Sequence, residues 1–187
     1  MSASDVLIIK TEEDMIIVGI DPGRNGGIAI LNTITGKVTA WYRISKLDEQ
    51  QLIAVFADLA ILSKLKQGLK CVFEKPFIKA HMVYKMCPKC RTPILTRVPQ
   101  QGIVTSLTEY GKLLGLAIAN NLFVAEIEST AWKKHLELTK DKDLSFKLVA
   151  KLYPDVGLTL KCQDGVAEAI LIAHYAKEVL CKSSSSQ

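Results

Sequence analysis

The chain has 187 residues, 49% of them apolar and 23% charged, which suits one folded domain and excludes global disorder. Its 24 basic and 19 acidic side chains leave a net charge of +5, a mild excess that favours an acidic partner such as nucleic acid only weakly. No apolar run approaches the ~18 residues of a membrane span, and the N-terminus sets Asp5, Glu12, Glu13 and Asp14 against Lys10 alone, unlike a signal or transit peptide.

In chain order, Met15-Ile-Ile-Val-Gly-Ile-Asp21 is rich in β-branched residues and apolar on both faces, as a central strand should be. The turn chemistry of Pro22 to Gly27 leads to a second strand over Ile28 to Leu31. A hairpin turn with Gly36 leads to a third strand over Val38 to Ile44, so the three make an antiparallel meander. Asp48 to Gln67 has helical period, with Leu52, Val55, Phe56, Leu59 and Leu62 on one stripe and Gly68 as stop signal. Lys70 to Glu74 is a short buried strand ending in a carboxylate, whereas Phe77 to Pro99 shows no clean period. A helix over Ser106 to Asn120, a strand over Leu122 to Ile127, and helices over Asp143 to Tyr153 and Gln163 to Leu180 complete the order. Helices alternating with the later strands predict an α/β fold, a mixed five-stranded sheet with helices on both faces.

Carboxylates stand where such a sheet should be dry. Asp21 closes the first strand and Glu74 the fourth, while Asp164 and Glu168 lie four apart on one face of the last helix. Taken singly, Asp21 before Pro-Gly is a turn residue, Glu74 a solvated strand end, Asp164 a helix cap and Glu168 a surface charge. Taken together they differ, because Glu168 sits inside the apolar run Val166 to Ala173. If the first and fourth strands are neighbours, four carboxylates share a pocket, and divalent cations would relieve their repulsion. Two such ions ~3.5–4 Å apart suit a phosphodiester displacement.

Ile20-Asp-Pro-Gly23, Phe73-Glu74 and Asp164-Gly-Val-Ala-Glu-Ala-Ile-Leu-Ile-Ala173 resemble the RuvC-like Holliday junction resolvases. The similarity is closest to their phage-type branch, through Gln101-Gly102 with Ser106 and through Trp132-Lys133. The resemblance implies an RNase H-like fold and a homodimer that binds four-way branched DNA. It also implies paired symmetric nicks made with Mg²⁺ or Mn²⁺, two ions per active site. Asp21, Glu74, Asp164 and Glu168 would then be the metal-binding and catalytic carboxylates, and Lys142 a basic catalytic residue near the scissile phosphate. Phe77 would be the aromatic wedge at the crossover, with Lys75, Lys79, Gln101 and Lys133 also on DNA. The bacterial pattern has two Asp three apart on the last helix; here Asp164 and Glu168 are four apart, still on one face.

Relative to that pattern the chain carries about twenty extra residues, a basic insertion at about 78–98 within a single nuclease domain. Lys75, Lys79, Lys85, Lys89, Arg91 and Arg97 lie in and beside it with no acid after Glu74, which reads as a DNA-facing loop or as a solvated one. Its Cys87-Pro-Lys-Cys90 resembles half of a zinc ribbon, with His81 as a third ligand and Cys162 or a partner subunit as the fourth for a structural Zn²⁺. The other reading is a reduced, solvent-facing pair. Redox chemistry is less expected, since no helix start follows to depress a thiol pKa. The cysteines number five (Cys71, Cys87, Cys90, Cys162 and Cys181), an odd count that fits reduced thiols. The expected location is cytoplasmic, nucleoid-associated or in a viral factory, and not secreted. Gly111 and Gly115 on the Ser106 to Asn120 helix allow close approach, either of the sheet or of a second copy. His135 has no evident role, and His174 is read as structural.

Three rival functions follow from the same residues. A junction-binding module without cleavage would need the basic insertion and the dimer helix alone. A related RNase H-like nuclease would act on other branched or hybrid substrates. An actin-like sugar kinase shares the Asp-containing turn, but this chain has no second phosphate loop and is short for two domains.

Overall fold

A computed structural model describes residues 15–23, 25–65, 68–76, 82–87, 89–97, 100–139, 142–158 and 163–182. The chain opens with β1 (Ile16–Asp21), β2 (Gly27–Asn32) and β3 (Val38–Arg43), paired antiparallel as the turn chemistry predicts. Helix α1 (Glu49–Leu65) crosses to β4 (Leu69–Glu74), which lies parallel to β1. A separate antiparallel ribbon follows, β5 (Met82–Met86) and β6 (Pro93–Arg97). Helix α2 (Gln100–Ala119) leads to β7 (Phe123–Ile127), parallel to β4. Three helices close the chain: α3 (Ser129–His135), α4 (Lys142–Leu152) and α5 (Asp164–Lys182). The main sheet has the order β3-β2-β1-β4-β7, so β1 and β4 are central neighbours.

The two faces of the sheet carry separate cores because side chains alternate along each strand. Ile16, Val18 and Ile20 of β1 point to one face with Phe56 and Leu59 of α1 and Leu113 and Ala117 of α2. Ile17 and Val72 point to the other, against α5 and Trp132, Val149 and Tyr153. Cutting fully buried Phe56 back to alanine would cost about 3–5 kcal/mol, and Leu59 about 2–5 kcal/mol, through lost burial and a residual cavity.

Helix α5 is apolar almost all round because it lies across the sheet and under α3 and α4. Val166, Ala167 and Ala169 to Ala173 are all fully buried. Its backbone runs so close to β1 that a Cβ on Gly19 would lie 2.1 Å from the Ala169 carbonyl oxygen. A strand glycine, normally a weak point, is here what admits the helix.

Three expectations need correction. Residues 82–97 include the β5–β6 ribbon rather than an aperiodic loop. The two strands pair with each other and not with the main sheet, and their residues show no clean apolar alternation. Helix α2 starts at Gln100, six residues before Ser106, and α3 was not anticipated, being only seven residues long and too short for a periodic stripe.

Candidate active site

Parallel pairing of Ile20 with Phe73 carries β1 and β4 to the same end of the sheet, leaving Asp21 and Glu74 on adjacent strands. Both follow the alternation of Ile17 and Val72, so both face the side covered by α5. The start of α5 is pinned to that end by glycines. Gly26 and Gly165 form a bridge between the β1–β2 turn and the helix. A Cβ on Gly165 would lie 2.2 Å from the Asn25 carbonyl oxygen, and one on Gly27 would lie 2.6 Å from Val166 Cα. Only a backbone without side chains can approach this closely. The consequence is that Glu168, one turn into α5, brings its charge to the strand ends, where it acts on Asp21 and Glu74, whereas Asp164, first residue of α5, is not among the leading charges that shift either acid.

The electrostatics record the crowding. Asp21 is pushed up from 3.8 to about 7, first by burial, then by the charges of Glu168 and Glu74. The Gly23 N–H, 3.1 Å from Asp21 Oδ1, and the Lys133 charge oppose the rise. Glu74 is also raised, chiefly by burial and in part by Glu168, against Lys133 and hydrogen bonds from Trp132 and Ser129. The Trp132 indole N–H donates to Glu74 Oε2 at 2.8 Å, which fixes one carboxylate oxygen. Lys133 Nζ lies 3.1 Å from Glu168 Oε1 and 4.9 Å from the centre of the Trp132 ring. The unanticipated helix α3 therefore supplies the residues that orient and partly neutralise the carboxylates. Trp132 is fully buried, so its neighbour Lys133 is anchored at the root.

The set is three mutually repelling carboxylates and one ammonium. Hard oxygen donors of this kind are the ligand type that divalent cations such as Mg²⁺ prefer. Among the described residues, no three His, Cys, Asp or Glu side chains converge closely enough to form a finished metal shell. Lys133 supplies the positive charge at Glu168 instead.

The other anticipated residues are placed as follows. Lys75 lies 3.8 Å from Glu126 and 3.7 Å from Glu128, so the expected DNA lysine has protein carboxylates beside it. Lys142 is the first residue of α4 and Gln101 the second of α2; their side chains, and the whole of Phe77, Lys79, His81 and Cys162, lie outside the described residues. Cys87 and Cys90 sit at the tip of the β5–β6 ribbon. The Cys90 thiol is lowered to about 7 by hydrogen bonds from Thr92 and from Cys87, so a depressed thiol arises without a helix start, against expectation. His174 is structural as expected, its Nδ1 2.8 Å from the Tyr153 hydroxyl. Its pKa is lowered by burial. His135 pairs with Glu178 at 2.8 Å.

Gly111 and Gly115 do not pack on the sheet: a Cβ on either would meet nothing within 4 Å. Val104, Leu107 and Ile118 on the same helix are exposed. Arg43 was missed. Asp21 pairs with Gly27 and Gly27 with Arg43, so Arg43 stands in the same row at the carboxylate end of the sheet. Its Nε is buried with no hydrogen-bond partner. Only strand register reveals this, since 22 positions separate the two residues in the chain.

No protein-family model matches the chain, and no curated protein matches it. Solved structures do match. T. thermophilus RuvC in complex with Holliday junction substrate aligns at a TM-score of 0.54 and 10% identity, covering 88% of this chain and 96% of that one. A second Thermus thermophilus RuvC structure aligns at 0.52 and 12%, with the same coverage. At these identities the likeness is one of fold: a RuvC-like, RNase H-like sheet with its helices.

Proposed function

We propose that this protein is a divalent-metal-dependent endonuclease that resolves four-way DNA junctions by paired symmetric nicks, acting as a homodimer of the phage-type RuvC-like branch. One observation carries the reading: on a RuvC-like fold, Asp21 and Glu74 meet the charge of Glu168 at a single end of the sheet. Buried carboxylates that raise one another's pKa are poor at stabilising a fold and apt for holding cations.

Hard carboxylate oxygens suit Mg²⁺ or Mn²⁺, and the proposed holders are Asp21, Glu74 and Glu168, with Asp164 added only by the family resemblance. A bound pair of ions would supply an activated water and charge stabilisation at the leaving 3′ oxygen. The chain's own groups have separate tasks. The Gly23 N–H orients one oxygen of Asp21, and the Trp132 N–H one oxygen of Glu74. Lys133 holds Glu168 in place and offers an ammonium to a DNA phosphate that enters the pocket. The exposed face of α2, with Gly111 and Gly115 at its centre, is the surface proposed for the two-fold contact. A symmetric dimer would set two identical sites on the two strands of a symmetric junction.

The test is cleavage of a synthetic four-way junction in Mg²⁺, mapped at nucleotide resolution beside linear duplex, flap and RNA–DNA hybrid. Paired nicks confined to the junction, lost in Asp21→Asn, are expected. Full activity in that variant, or preference for the hybrid, would sink the proposal. A second reading, junction binding without cleavage, draws on the Lys133–Glu168 pair, which balances one carboxylate without a metal. Tight junction binding with no nicks in either Mg²⁺ or Mn²⁺ would select it.

A further inference from the structure

No residue of the tip of the β5–β6 ribbon is among the groups acting on Asp21 or Glu74, and nothing in the proposed nuclease chemistry uses it. Register pairs Met86 with Pro93, and the Cys87 N–H donates to the Thr92 carbonyl at 2.9 Å, closing the loop at its base. Within the loop the Arg91 N–H donates to the Cys87 carbonyl, also at 2.9 Å. Arg91 takes the left-handed conformation at φ 56°, which costs a residue with a Cβ free energy and turns the chain sharply. That turn brings the two sulfurs together: the Cys87 thiol donates a hydrogen bond to Cys90 Sγ. The Thr92 hydroxyl oxygen lies 2.7 Å from the same sulfur, and the Thr92 backbone N–H also donates to it. Donors gathered on a sulfur are the environment of a metal-bound thiolate. Both thiols are free, and Cys90 is exposed.

A second observation is independent of the cysteines. The ribbon has two strands of five residues, and neither pairs with the main sheet. A lone two-stranded hairpin is marginal in water unless something else holds it. A cation bound across the tip would do so.

We infer that Cys87 and Cys90 are two of the four ligands of a structural zinc ion that locks the tip of the β5–β6 ribbon. Each thiol releases its proton as the ion binds, and no electron transfer is involved. Tetrahedral zinc requires two further ligands, which come either from elsewhere in the same chain or from the same turn of a second copy. The inference does not depend on the nuclease reading.

The experiment uses the full chain purified without chelator, with zinc read by elemental analysis and thiols by mass spectrometry. About one zinc per chain is expected if the chain completes its own site, and about half if two copies share it. Cys87→Ser and Cys90→Ser should each lose the ion. Stripping zinc with a chelator should speed proteolytic cleavage within residues 82–97 by about tenfold or more, and adding back zinc alone should reverse this. Zinc retained in both variants would place it at the carboxylates instead and overturn the assignment. So would a zinc-free protein, or a Cys87–Cys90 disulfide in freshly purified material.

Discussion

Replacing Asp21 by Asn should make the metal-free protein more stable at high pH while abolishing its activity. Asp21 titrates at 3.8 when free of its surroundings and at about 7 in the fold. Between those values the folded chain keeps a proton that the unfolded chain has lost. Stability is therefore greatest below pH 3.8 as far as this group is concerned, falls as pH rises towards 7, and is lowest above it. A shift from 3.8 to about 7 corresponds to about 4 kcal/mol at 1.36 kcal/mol per unit, an upper bound once side chains relax and water enters. Asn cannot ionise, yet its side-chain oxygen can still accept the Gly23 N–H. Urea denaturation in a chelating buffer at pH 8 should then show Asp21→Asn more stable than wild type by ~2–4 kcal/mol, the gap closing by pH 4. Mg²⁺ at 100 times its Kd should narrow the gap by about 2.7 kcal/mol, since it stabilises wild type and has no complete site in the variant. If Asp21→Asn is as stable as wild type or weaker at pH 8 without metal, the carboxylates do not crowd one another and the site argument fails.

Other perturbations test other links. Trp132→Phe keeps most of the buried ring but removes the N–H bound to Glu74 Oε2, so junction cleavage should fall by about 10–100-fold while circular dichroism stays folded. Unchanged cleavage would show that the bond does not orient Glu74. Gly165→Ala sets a Cβ 2.2 Å from the Asn25 carbonyl oxygen and should cost about 3 kcal/mol or prevent folding, read as a lowered denaturation midpoint. Gly111→Ala meets nothing within 4 Å and should gain up to about 1 kcal/mol of helix stability. If α2 is the two-fold contact, the same change should weaken the dimer in sedimentation equilibrium. Lys133→Met removes the ammonium beside Glu168, so the salt dependence of junction binding should flatten by about one phosphate contact.

Much of the fold was legible because its signals are local. The meander β1–β3 follows from β-branched runs broken by Gly-rich turns, and α1 from a stripe that the structure buries at Leu52, Val55, Phe56 and Leu59. The acids at Asp21 and Glu74 drew notice because each ends an apolar run, and parallel pairing of β1 with β4 puts them together as expected. The β5–β6 ribbon was illegible because its residues carry no clean apolar period, and its two strands pair only with each other and not with the main sheet. Helix α3 was missed because seven residues hold too few turns for a stripe.

The sequence by itself determined the β1–β3 meander, the mixed five-stranded sheet and the acids that end β1 and β4, since turn chemistry and side-chain periodicity are properties of neighbours in the chain. Only the tertiary structure decided that Lys133 and Trp132 join those acids and that Arg43 shares their row. It also decided that the glycines of α2 face open space. These relations join residues far apart in the chain. They depend on how closely α5 can seat on β1 and β2, a distance set at Gly19, Gly27 and Gly165, where the backbones meet with no side chain between them.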